Sequence, residues 1–330
     1  MKQLIINADD LGICRSTNEA IGRAHREGVL TSASLMANGP DFEQAIEQVV
    51  TPNPRLGVGL HICLTGGRPV SHPDHIPLLV DSQGRLHHGF LSLLRATRRN
   101  NKQILRQIQT EIEAQWLRLK AAGVEIDHID GHRHIHMIPA IFRIVQSLLP
   151  MFGSPAVRVS HEPFPLRTRT LLRRSPRTLL SNFPKKVLLS AFARQIGSRP
   201  AESSAPECVF GILDSGSLNT LTLHRILRGL RRGVSEIITH PGQPGGPIDP
   251  SVSSMDQHFL QSHARADEYA ALADPTTREV IEKQHLQLVT YRDLRTKTAP
   301  AMSACSASEA LTSDDHPDDL AETASNHMDL

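Results

Sequence analysis

The fold class this sequence predicts is α/β: a (β/α) barrel of the TIM-barrel type with seven or eight parallel strands. Three observations predict it. Short apolar runs rich in β-branched residues recur along the chain and stop abruptly at polar residues, as strands buried on both faces do. Amphipathic helical stretches lie between the runs, and that alternation implies right-handed βα units. Aspartates and histidines gather where the runs end, the edge at which such barrels build their active sites. An open doubly wound sheet is the alternative.

In chain order, Leu4–Ala8 ends at Asp9-Asp10 and Ala33–Ala37 at Asn38-Gly39-Pro40. Leu56–Leu60 ends at His61, and Val124–Ile129 at Asp130-Gly131-His132. Val157–Val159 ends at Ser160, Ile237–Thr239 at His240-Pro241-Gly242, and Leu286–Thr290 near Tyr291. Between them, Ser16–Glu27 reads as a helix opened by a Ser16/Glu19 capping box and closed by Gly28. Ile104, Ile108, Ile112, Trp116 and Leu119 mark the apolar stripe of a second helix, which Gly123 ends. Leu221–Leu230 repeats the pattern.

These elements form a barrel over residues 1–297, with residues 163–205 inserted as a helical cover and residues 298–330 as a tail. Between 166 and 199 the chain has nine Arg/Lys and no acid. That segment reads as a cover over the barrel mouth with a solvated basic face. The sharper alternative is peripheral contact with an anionic membrane or a phosphorylated glycolipid. The last thirty residues have seven acids and no Lys or Arg, which reads as a disordered acidic tail.

The net charge of +2 gives no global field toward nucleic acid, so no nucleic-acid partner is expected. Four scattered cysteines without a CxxC pair argue for reduced thiols and against a disulfide scaffold. No apolar run approaches the length of a membrane span, and Asp9-Asp10 interrupt any early signal-type run. A cytoplasmic location follows as the expectation. No phosphate-binding glycine motif and no GxSxG elbow is present, which disfavours nucleotide cofactors and serine-hydrolase chemistry.

The chemistry lies with the acids and histidines. A catalytic divalent ion takes about three protein ligands and keeps one position open. Asp10, His61 and His132, brought from three strand ends, would supply one carboxylate and two imidazoles. Such an ion polarises a carbonyl and acidifies water, although the same donor set also suits non-haem iron. Of the adjacent acids, one can hold the metal while the other accepts a proton from water. Asp130-Gly131-His132-Arg133-His134-Ile135-His136 is the most specific local feature. On a strand its alternating histidines would share one face, leaving His134 and His136 to support the ligands or face substrate. His240 titrates near neutrality and could protonate a leaving amine.

With those residues in place, the chain resembles the YdjC-like carbohydrate deacetylases. The resemblance rests on Asn7-Ala8-Asp9-Asp10-Leu11-Gly12, Asn18-Glu19-Ala20-Ile21, Thr31–Met36, Gly57–His61, Asp130–His136, Phe210-Gly211, Gly233–Gly242 and Tyr291–Leu294. It implies a barrel-like fold, a homodimer, and a divalent metal such as magnesium or zinc held by Asp10, His61 and His132. It further implies Asp9 as general base, His240 as proton donor, and Arg158, Asp130, His134 and His136 near the substrate. The expected reaction removes acetyl, as acetate, from an N-acetylated oligosaccharide or glycolipid. Two alternatives are another metal hydrolase, acting on a phosphoester or a cyclic amide, and a carbohydrate- or lipid-binding protein without enzymatic activity. The basic insert is longer than in compact members of the family.

Overall fold

The structure is a computed structural model that describes residues 1–98, 101–163, 176–197 and 205–295, with side chains described from 180 onward in the third stretch. The expected acidic tail, with Cys305, and much of the basic insert lie outside the described residues.

The apolar runs become strands, all parallel. They are β1 (Lys2–Leu11), β2 (Ser32–Leu35), β3 (Gly57–Ile62), β4 (Ile126–Gly131), β5 (Ala156–Val157), β6 (Cys208–Phe210), β7 (Gly233–Thr239) and β8 (Leu286–Leu288). The strand order is β5-β4-β3-β2-β1-β7-β6, with β8 added to β1. β8 and β2 share one edge of β1, β8 along Lys2–Leu4 and β2 along Asn7–Leu11, while β7 lines the other edge. Strand β1 is therefore bonded on both sides at the centre of the sheet. Among the described residues β5 and β6 do not pair, so the result is an open, curled half-barrel within the predicted class.

Helices cover the outside: α1 (Arg15–Glu27), α2 (Phe42–Ala45, continued by a π turn to Val50), α3 (Phe90–Arg98), α4 (Lys102–Ala121) and α5 (Pro139–Leu148). They continue with α6 (Pro176–Ile196), α7 (Thr220–Gly229), α8 (Ser254–Leu260), α9 (Ala264–Ala273), α10 (Pro275–Lys283) and α11 (Tyr291–Arg295). Leu, Ile and Val dominate the core, and the single Trp116 stacks on Phe152 with centroids 4.1 Å apart. Among the described residues no helix is long and apolar enough to cross a membrane.

Two local expectations are corrected. The Ser16/Glu19 capping box does not form. Helix α1 starts one residue earlier, at Arg15, and the Asp41 carboxylate accepts the Arg15 N–H at 3.0 Å, so a distant side chain does the capping. The described part of the basic segment, residues 180–197, does not present a simple basic face. On α6, Lys186 is buried and Lys185 half-buried, while Leu180, Pro184, Val187 and Ala191 face outward.

Gly59 on β3 shows how tightly the sheet is packed around the site. A β-carbon there would lie 2.3 Å from the His128 ring, which stacks on Tyr291 and contacts Ser34 Oγ at 3.0 Å. Gly59→Ala should therefore lower the unfolding free energy by about 1–3 kcal/mol, measured in urea. An unchanged urea midpoint would show that His128 can move at no cost.

Candidate active site

Every candidate catalytic residue lies at a strand end or just beyond one. On β1, Asp9 keeps the strand conformation but Asp10 turns into the left-handed region (φ 68°), and the register with β2 slips between Ala8 and Leu11. That kink lets neighbouring side chains, which would point to opposite faces of a regular strand, enter one cavity. Asn18 fastens the turn by accepting the Gly12 N–H at 2.7 Å.

Asp10, His61 and His132 each offer a ligand atom within 4.8 Å of the others. His132 Nδ1 lies 2.9 Å and His61 Nε2 3.5 Å from Asp10 Oδ1. Behind them His61 Nδ1 meets Asp130 Oδ1 at 2.7 Å, which fixes the ring and turns Nε2 toward Asp10. Asp9, His61 and Asp130 form a second, overlapping group of the same kind.

Beneath the acid pair lies Arg158, fully buried just past β5. Its guanidinium donates to Asp9 at 3.0 Å and to Glu236 at 2.6 Å and contacts Asp130, and Tyr291 Oη also donates to Glu236 at 2.7 Å. One cation thus serves three buried carboxylates.

The histidine run does not continue the strand, as expected from sequence; it forms a tight 3-10 turn, His132–Met137. Arg133 and His134 adopt positive φ, so the rings fan out instead of alternating. His132 goes to Asp10, His134 Nδ1 to Ser160 Oγ at 3.0 Å, and His136 Nε2 to the Arg158 carbonyl at 3.1 Å. His136 is fully enclosed, whereas His134 keeps slight exposure.

His240 at the end of β7 places Nε2 4.0 Å from Asp9 Oδ2, and its backbone N–H donates to Glu268. Every proposed site residue thus converges on one mouth, with Asp130, Arg158 and His136 forming the floor.

Charge and burial set the protonation states. Burial opposes ionisation of Asp10, but the charge and hydrogen bond of His132 outweigh it and hold the carboxyl well below its usual range. Burial raises the Asp9 carboxyl, against the pull of Arg158. Burial disfavours charge on His61 and His132, yet the surrounding carboxylates prevail and push both up to about 10. Burial carries His240 down to about 4 and Glu268 up to about 7.

Four contributors escaped the sequence reading. Asp256 on α8 meets His132 Nε2 at 3.1 Å and Arg133 at 2.8 Å. Arg265 on α9 is fully buried, 3.5 Å from Asp10 Oδ2 and 2.9 Å from Thr17 Oγ1. Glu268 and Glu236 hold His240 and Arg158. Only Glu236 left a signal, a carboxylate inside an apolar strand run, which requires a buried cation.

The donor set fits a divalent metal. One carboxylate and two imidazoles converge, and the surrounding acids outnumber the guanidiniums that face them.

Comparison with known proteins identifies the family. The model of the YdjC-like protein family matches residues 3–283. A carbohydrate deacetylase of Brevibacillus brevis is 32% identical over 293 residues, 88% of this chain and 99% of its own length. A chitooligosaccharide deacetylase of Yersinia enterocolitica is 36% identical over 147 residues, 44% of this chain and 55% of its own. A solved Enterococcus faecalis structure, described as a candidate cellobiose-phosphate cleavage protein, shares the fold. It has a TM-score of 0.62 at 23% identity and covers 89% of this chain and 98% of its own. A match running from β1 into α10 and spanning the whole constellation leaves one conclusion: this chain belongs to the YdjC-like protein family.

Proposed function

We propose that the protein is a metal-dependent carbohydrate deacetylase that hydrolyses the N-acetyl amide of a sugar and releases acetate. The observation that carries this reading is the meeting of Asp10, His61 and His132, with Asp9 beside them. The full-length relative named a carbohydrate deacetylase supports the substrate class.

A divalent ion held by Asp10, His61 and His132, magnesium or zinc, would supply Lewis acidity toward the acetamide carbonyl and acidify the attacking water. Asp9 takes the proton from that water as it adds to the carbonyl carbon. Arg158 and Asp130 position Asp9 and His61 from below. His240 is neutral at pH 7, since burial pushes it down to about 4. Its Nε2 stands 4.0 Å from Asp9 Oδ2, one water away, so the proton that Asp9 takes is relayed through a bridging water and His240 to the departing amine. His134 is the substrate contact of the histidine run.

The test is acetate release from a panel of N-acetylated sugars and glycolipids, before and after chelation and metal return. Release that stops on chelation and resumes with metal is expected. Release indifferent to chelation, or phosphate release without acetate, overturns the reading. Metal binding should also depend on pH. His61 and His132 must lose protons to ligate, and both hold them up to about 10. Apparent affinity should therefore fall as pH falls, about tenfold per pH unit for each proton displaced. Titration calorimetry in buffers of different ionisation enthalpy counts those protons.

A further inference from the structure

The charge of this protein is unevenly distributed. Helices α3 (FLSLLRATR), α5 (PAIFRIVQSL) and α6 (PRTLLSNFPKKVLLSAFARQI) contain seven Arg/Lys and no acid. They are neighbours: Phe90 of α3 stacks on Phe192 of α6 with centroids 6.4 Å apart, and Arg143 of α5 shares a cavity with both helices. The cavity is about 310 Å³, and its lining includes Leu94, Arg98, Ile138, Arg143 and Phe192. Arg98 and Arg143 are exposed and make no ion pair with any described residue.

The second observation is the outer face of α6. Leu180 (82% exposed), Pro184, Val187 (43%) and Ala191 follow at i, i+4, i+7 and i+11, and Arg194 comes next on the same side. A helix on a water-soluble surface places polar residues at those positions. Leu91 at the start of α3 adds another apolar group, 59% exposed. An apolar row edged by unpaired arginines and free of acids complements a bilayer with anionic headgroups: the apolar side chains enter the interface and the arginines meet phosphate.

We infer that the α3–α5–α6 face docks on an anionic phospholipid surface. This is independent of the deacetylase reading, because docking is measured without turnover.

The test is co-sedimentation of the full chain with neutral phosphatidylcholine vesicles and with vesicles containing about 30% phosphatidylglycerol, at low and high salt. Binding to the anionic vesicles alone, weakened by salt, is expected. Arg98→Gln and Arg143→Gln should each weaken it about fivefold. Leu180→Asp with Val187→Asp should weaken it at least about tenfold. All four side chains are at the surface and outside the site, so acetate release from a soluble substrate should not change. Absence of binding, equal binding to neutral vesicles, or variants that bind like the parent would overturn the inference. So would a dimer that Leu180→Asp dissociates while vesicles capture nothing, since the row would then cover a second copy of this chain.

Discussion

Replacing Asp9 by Asn should lower kcat by about 10³-fold while leaving metal content unchanged. A positioned general base typically contributes about 10² to 10⁴ in rate. Asn keeps the shape and an acceptor oxygen for the Arg158 guanidinium, now at 3.0 Å, so the floor of the site should survive. Metal stoichiometry measured beside acetate release distinguishes two arrangements. Full metal with lost turnover supports Asp9 as the base and Asp10, His61 and His132 as the ligands. Lost metal would move the ion to the overlapping group of Asp9, His61 and Asp130. Near-normal turnover would remove Asp9 from the mechanism.

The largest effect on stability should come from Arg158→Met. The guanidinium is fully buried and faces Asp9, Asp130 and Glu236 at once. Its removal leaves three carboxylates in low dielectric without their cation, and breaking such a cluster from one side costs about 3–5 kcal/mol. The deficit should depend on pH with a definite sign. Without the cation these carboxyls titrate higher when folded than when unfolded. The penalty is then complete above the folded values and shrinks as pH falls toward the ordinary carboxylate range. Urea unfolding at neutral and mildly acidic pH reads both effects. A variant as stable as the parent at neutral pH would mean that the metal and His61 already balance these acids.

Much of this architecture is visible in the sequence, for identifiable reasons. Strands buried on both faces read as continuous apolar runs, so β1, β3 and β7 stand out, and the polar residue that ends each one marks the mouth. Asp10, His61 and His132 are legible on that ground, since a charged or metal-binding residue at the end of a buried run has few structural uses. Strand β6 is three residues long, too short for any periodicity. The histidine run misleads because two residues with positive φ turn it out of the strand, and nothing in its composition announces them. Asp256 sits three residues after Ser253, a spacing that reads as ordinary helix capping, and Ser253 Oγ does accept the Asp256 N–H at 3.2 Å. Arg265 and Glu268 stand three apart on α9, as any surface ion pair would. Only the fold shows that both are buried against the site. The same holds for α6, where lysines in the sequence suggested a wetted basic helix and the fold turns apolar side chains outward.

The left-handed backbone at residue 10 limits what evolution could have placed there. Aspartate and asparagine tolerate that conformation better than other side chains, and glycine tolerates it best but has no donor. Of these three residues only aspartate also brings an anionic oxygen. Glutamate would meet the demand for charge but not for conformation, so two unrelated selections converge on a single amino acid. A search for distant descendants should therefore weight that position above the histidines, whose backbone at 61 makes no such demand.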